Sequence, residues 1–129
     1  MVIDTSALLA IALNEPERQR FIDAIERHPR RLISVASVLE AGIVVESRSG
    51  SEAGEDLDQL IAQLALQIEP VTVAQVHTAR HAYRTYGKGR HPAALNFGDC
   101  FVYALARDVS EPLLFKGDDF SQTDITSCL

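Results

Sequence analysis

The chain is poor in cysteine, and no apolar run approaches the ~20 residues that a helix needs to cross a bilayer. Its two cysteines, Cys100 and Cys128, supply neither a disulfide framework nor a zinc-binding spacing. Cys100 sits in the apolar run FVYALA, where a buried free thiol is expected, and Cys128 carries no expectation of its own. A secretory leader begins with basic residues before its apolar stretch; here Asp4 comes first, and a cytoplasmic protein is the expectation. Internal repeats, low-complexity tracts and long linkers are missing too. With 129 residues, one domain spanning 1–129 and one real core are expected.

Positive charge is also short, with 12 Lys and Arg against 18 Asp and Glu and a net charge of −6. Taken alone this argues against a nucleic-acid partner, since phosphate binding is driven by basic side chains. The deficit is uneven. Between Glu69 and Asp99 there is no acidic residue, whereas Arg80, Arg84, Lys88 and Arg90 all fall in that interval. A basic face on an acidic protein is compatible with this pattern, as is a merely solvated helix end and loop.

What is present alternates short apolar runs with helical stretches. MVID reads as a first strand, and Ser6 to Asn14 as a buried helix. EPERQRFIDAIER reads as a helix with Pro16 at its start, and RLISV as a strand. SVLEAGIVVESRS and EDLDQLIAQLAL have helical length and an apolar face, and IEPV is a weaker strand. TVAQVHTARHAYRTYG is a helix capped by Thr72 and ended by Gly87; GKGRHPAALN is a loop. NFGDCFVYALARD is a further helix, EPLLFK a strand, and the terminal ITSCL a candidate edge strand. The alternation predicts an α/β fold with a small, mostly parallel sheet and helices on both faces. In such sheets the ligand site lies beyond the carboxyl ends of the strands.

Acidic residues stand at four such places, the adjacent Asp118 and Asp119 sharing one. Asp4 closes the first strand, and Asp118 and Asp119 follow PLLFK almost at once. Glu40 interrupts the otherwise uncharged VASVLEAGIVV, and Asp99 lies in the first turn of a helix behind Asn96. Each has a structural explanation: Asp4 as a helix cap, Asp99 as a first-turn acid favoured by the helix dipole, Asp118 and Asp119 as a turn. Glu46, farther along the Glu40 helix, is its solvated counterpart. Gathered together, however, carboxylates repel and need a counter-charge. A hard divalent cation meets that need with oxygen ligands, and it reverses the field that a phosphodiester would otherwise meet.

At these residues the chain resembles PIN-domain ribonucleases of the VapC toxin type, known from bacterial toxin–antitoxin pairs. The segments that carry the resemblance are VIDTSALLA, SVLEAGIV, YGKGRHPAALNFGDCFVYALA and PLLFKGDDFSQTDI, together nearly the whole chain. The resemblance implies a PIN-like fold and an Mg²⁺- or Mn²⁺-dependent endoribonuclease. It implies Asp4 and Asp99 as metal ligands, Glu40 as part of the acidic set, and Ser6 as the small hydroxyl residue lining the pocket. Asn96 belongs to the same pocket. Many relatives carry Asp or Asn three residues before the segment's phenylalanine, where this chain has Gly117; Asp119, ahead of Asp118, is the expected fourth acid. Arg84, Lys88 and Arg90 are the candidate RNA-backbone contacts. The implied partners are an RNA substrate, a cognate small VapB-like antitoxin and a second copy in a homodimer, with no membrane involved. The apolar segments IDAIERH and VLEAGIVV are candidate interface material, and core packing explains them nearly as well.

Other readings compete. A haloacid-dehalogenase-like Mg²⁺ phosphatase also opens with a strand-end aspartate, but it needs a second acid where Ser6 stands. His77 and His81 share a helix face, yet Thr78 occupies the position of the glutamate in the metalloprotease helix. A catalytically silent RNA- or protein-binding PIN domain is the non-enzymatic alternative.

Overall fold

Adjacent side chains on a strand point to opposite sides of its sheet, so a strand buried at every position must be covered twice. The chain has three such strands. In the computed structural model, which describes residues 1–129, they are β1 (Val2–Ile3), β2 (Leu32–Ser34) and β4 (Leu113–Leu114), with β3 (Gln67–Glu69) at one edge. The sheet order is β3-β2-β1-β4 and every pairing is parallel.

Six helices cover the two faces: α1 (Thr5–Ala12), α2 (Arg18–Glu26), α3 (Val35–Ser49), α4 (Ser51–Gln63), α5 (Val73–Tyr86) and α6 (Phe97–Val109). One apolar layer joins Ile3, Ile33 and Leu114 to Leu8 and Ile11 of α1, Ile25 of α2, Ala41 of α3 and Leu57 of α4. The other joins Val2, Leu32 and Leu113 to Ala82 of α5 and to Val102 and Leu105 of α6. Thus the period-2 alternation within each strand decides which helices it holds. No helix is long and apolar enough to cross a membrane.

Several boundaries differ from the sequence expectation. Pro16 precedes α2 instead of opening it, because Arg18 N–H donates to the Glu15 carbonyl (3.0 Å) in a turn that delays the helix. α3 starts at Val35, directly from β2, with Ser34 as its cap. The weak strand lies at Gln67–Glu69 rather than over IEPV, whose Pro70 has no N–H to continue the ladder. The terminal ITSCL is not a strand; it touches β4 through a single bridge, Leu113 to Ser127. Cys128 there packs partly against the core, and burial pushes its thiol up to about 11. Cys100 is buried as expected, its thiol also pushed up to about 11 by desolvation.

Leu114 is fully buried between β1 and the helices of its face. Leu114→Ala should cost about 2–5 kcal/mol of folding stability, measured as a shift in the urea midpoint at unchanged slope.

Candidate functional site

β1, β2 and β4 run parallel, so their carboxyl ends open on the same edge. Asp4 is the residue after β1, and its N–H still donates to the Leu114 carbonyl of β4 (2.9 Å). It is also the cap of α1: its carboxylate accepts from the Ser6 N–H (3.0 Å) and from the Ser6 hydroxyl. The Ser6 oxygen in turn accepts from Lys116 N–H (2.9 Å), just beyond β4. One hydroxyl therefore ties the end of β1 to the end of β4.

Asp99 stands in the first turn of α6, set by a reciprocal cap. The Asn96 side chain accepts from Asp99 N–H (2.9 Å), and the Asp99 carboxylate accepts from Asn96 N–H (3.0 Å). The structural and the functional readings of Asp4 and Asp99 are thus compatible, since each carboxylate has two oxygens and only part of its capacity is used.

Burial pushes the Asp99 carboxyl up to about 6, against its bond to the Asn96 backbone, and the charges of Asp4, Asp119 and Glu40 push in the same direction. Asp4 is 5% exposed. Desolvation raises its carboxyl too; the Ser6 bonds oppose this and the Glu40 charge adds to it. Asp99 thus feels the charges of three other segments, through Asp4, Glu40 and Asp119, and Asp4 feels that of Glu40. Asp118 stands in the adjoining turn, where its backbone carbonyl accepts from the Ser121 N–H (3.2 Å) and hydroxyl (2.6 Å). Gly117, at φ +95°, takes the backbone conformation that starts this turn.

No three carboxylate, imidazole or thiol groups close on one point as a finished metal cage. The donors that gather are all carboxylate oxygens, and their mutual repulsion is what a cation would relieve. That donor chemistry fits Mg²⁺ or Mn²⁺, which bind through one or two carboxylates and keep several waters. It does not fit a soft or imidazole-bound metal. His77 and His81 are exposed on α5, away from any carboxylate trio.

Gly98 is a site residue that the sequence reading missed. A Cβ built there would collide with the Glu40 carboxylate and lie 3.1 Å from its Cδ. The bare glycine lets the Glu40 side chain lie against the first turn of α6, beside Asp99. Its place in NFGD, immediately before the aspartate, was the only available signal.

The basic candidates Arg84, Lys88 and Arg90 are all exposed around the C-terminal end of α5. The segment read as a loop is internally bonded: Lys88 N–H donates to the Leu95 carbonyl (3.0 Å), and Leu95 N–H to the Tyr86 carbonyl (2.9 Å). Arg90 lies over the Tyr83 ring, 5.6 Å from its centroid.

An all-parallel four-stranded sheet with acidic residues placed beyond its strand ends is the arrangement found in PIN-domain hydrolases. The PIN domain family matches residues 1–125, and the chain belongs to it. It is 51% identical over 127 residues to Ribonuclease VapC30 of Mycobacterium tuberculosis, covering 98% of this chain and 97% of that one. Ribonuclease VapC of Mycolicibacterium smegmatis is 49% identical over 127 residues, covering 98% of each chain. The fold is similar to the crystal structure of Mycobacterium tuberculosis VapC20, a sarcin–ricin-loop-cleaving toxin, at a TM-score of 0.78. That likeness covers 97% of this chain and 95% of that one at 16% identity, so it speaks for the fold. The family resemblance seen in the sequence is borne out, and the phosphatase reading gives way to it.

Two outcomes follow from this geometry. Because burial and like charges raise the Asp99 carboxyl from 3.8 to about 6, its ionised form opposes folding above that range. In metal-free buffer at pH 8, Asp99→Asn should melt higher than wild type by roughly 4 °C, on ~1 kcal/mol left after solvent screening. The difference should vanish below pH ~4, where the wild-type carboxyl is protonated, and Mn²⁺ should raise the melting temperature of the wild type alone. Gly98→Ala should displace Glu40 without unfolding the chain. Its Mn²⁺-induced thermal shift should match that of Glu40→Ala, and the double variant should lose nothing further.

Proposed function

We infer that this chain is a divalent-metal-dependent endoribonuclease, the toxin of a toxin–antitoxin pair. The observation that carries the reading is the placement of Asp4, Glu40 and Asp119 so that their charges raise the Asp99 carboxyl, in a chain half identical to proteins named VapC ribonucleases. VapC ribonucleases are in general dependent on a divalent metal.

Asp4 and Asp99 would hold Mg²⁺ or Mn²⁺, with Glu40 and Asp119 beside them. The bound ion would supply charge neutralisation at the phosphodiester and a water acidic enough to attack near neutral pH. The chain's own residues do the rest. Ser6 orients the Asp4 carboxylate through its hydroxyl and N–H, leaving the other oxygen available. Asn96 orients Asp99 in the same way. Glu40, exposed and unconstrained by any hydrogen bond to the protein, is free to take a proton or to hold a water. Arg84, Lys88 and Arg90 grip the RNA backbone, and their positive charge offsets an overall negative protein.

The partners are an RNA, a cognate VapB-like antitoxin and a second copy of this chain, with the cytoplasm as the compartment where such an RNA is found. Support for a protein contact comes from α3. Ile25 of IDAIERH goes into the core, but Val35, Leu39 and Ile43 of α3 are 45%, 66% and 56% exposed, one turn apart along the helix.

Cleavage of total RNA should require Mg²⁺ or Mn²⁺ and stop with EDTA. Asp4→Asn and Asp99→Asn should lose about a hundredfold or more in rate while keeping the wild-type circular dichroism spectrum. Full activity in both variants, or in chelator, would refute the assignment.

A further inference from the structure

Of the nine large apolar side chains left exposed on this chain, only Ile68 and Leu129 lie outside α3, α5 and α6. The others fall into stripes. Leu39 and Ile43 stand one turn apart on α3, Val76 and Tyr83 two turns apart on α5, and Phe97 one turn from Phe101 on α6. Apolar residues scattered singly over a surface are ordinary, whereas a contiguous set marks a face that another molecule covers.

α6 packs against both of the other helices. Its Phe97 and Phe101 rings meet edge-on at 4.9 Å between centroids and form a ridge. On the α3 side runs a groove of about 460 Å³, lined by Leu39, Ile43 and Glu40. On the α5 side runs one of about 500 Å³, lined by Tyr83, Arg80 and Lys88. The flanks are thus opposite in charge, and neither Glu40, Arg80 nor Lys88 makes an ion pair within the chain. Phe97 lines both grooves, so the acid and the cations stand at a similar height along the ridge.

A surface laid out in this way is complementary to itself. A two-fold rotation about an axis parallel to the ridge keeps the height along it and exchanges left for right. It sets the α3 flank of one copy against the α5 flank of the other, acid against cation. An axis across the ridge would set Glu40 against Glu40, which like charge disfavours. Packing agrees with the first choice. The ridge of each copy enters the α3–α6 groove of the other while its α3 stripe enters the α5–α6 groove, so both apolar grooves fill at once. A foreign apolar segment would fill one groove and leave the charges of the other flank unpaired.

We propose that two copies pair in this way, and that the partner's Arg80 and the partner's Lys88 stand beside Glu40 at the edge of this chain's acidic site. The cations that meet an RNA phosphate there come from the second copy, and neither copy holds a whole site alone. The proposal rests on the ribonuclease reading and goes beyond it in where the second copy sits and what it contributes.

Two measurements test it. In sedimentation equilibrium the wild-type chain should be a dimer at micromolar concentration. Ile43→Lys should be a monomer with an unchanged circular dichroism spectrum, since Ile43 is 56% exposed on the single chain. Cleavage is followed with Mn²⁺ and a subsaturating, short, random-sequence, single-stranded RNA carrying a fluorophore and a quencher. Asp99→Asn should be nearly inactive, and an Arg80→Ala/Lys88→Ala double variant roughly tenfold slower through weaker RNA binding. Co-expressed with different C-terminal tags and purified through both, the two variants give a mixed dimer. Its one site with native acids faces the native cations of the Asp99→Asn copy, so its rate should return to about half that of wild type.

If the cations served their own chain, neither site of the mixed dimer would be whole and its rate would stay below that of the double variant. That result overturns the proposal. So does a monomeric wild type, which leaves the face to a different protein, and so does an Ile43→Lys chain that remains dimeric. In each of these cases wild-type cleavage of the RNA keeps the ribonuclease reading standing. A wild type that cuts neither this RNA nor total RNA with Mn²⁺ removes that reading and the shared site with it.

Discussion

Repulsion among buried and half-buried carboxylates is the constraint on which the rest of this structure turns. Asp4 and Asp99 stand where burial alone opposes their ionisation, and Glu40 and Asp119 add like charge. A fold tolerates this only if hydrogen bonds fix the buried groups and something neutralises the set. The first condition is met by Ser6 for Asp4 and by the Asn96 cap for Asp99. A divalent cation would meet the second, its charge turning a site that repels phosphate into one that attracts it.

The parallel sheet makes this arrangement possible. Every strand must return to the same end before it starts again, so each crossover delivers one chain segment to the carboxyl edge. Asp4 and Asp119 arrive there by following β1 and β4, while Glu40 and Asp99 arrive on α3 and α6. The two apolar layers anchor all four segments at once, because Val2 and Ile3 of one short strand belong to different layers. A core substitution in either layer therefore acts on the site through the strand that both share.

Charge is divided in the same way. The acid-free stretch from Pro70 to Gly98 forms α5, the bonded turn after it and the entry to α6. It places cations and aromatic rings beside the acidic cluster without mixing the two. Gly87 and Gly98 act on opposite sides of this division, one giving room to the Tyr83 ring and the other to the Glu40 carboxylate. Neither has a positive φ; what each supplies is the space of a missing side chain.

The residues whose roles are set within a few positions of themselves were legible in the sequence. Thr72, Gly87, Asn96 and Asp4 cap their helices as their types and neighbours indicated, because a cap is a contact across two or three residues. The strand–helix alternation fixed the parallel sheet for the same reason: periodicity is a local property. Pairings between distant segments required the folded chain. The reach of the Asp119 charge to Asp99, the clearance at Gly98 for Glu40, the docking of the terminal segment beside β4 and the joining of β1 to β4 through Ser6 each depend on segments that the crossovers bring together. Hydrogen-bonding type and period are written residue by residue, whereas the distance between remote side chains exists only once the two layers have packed.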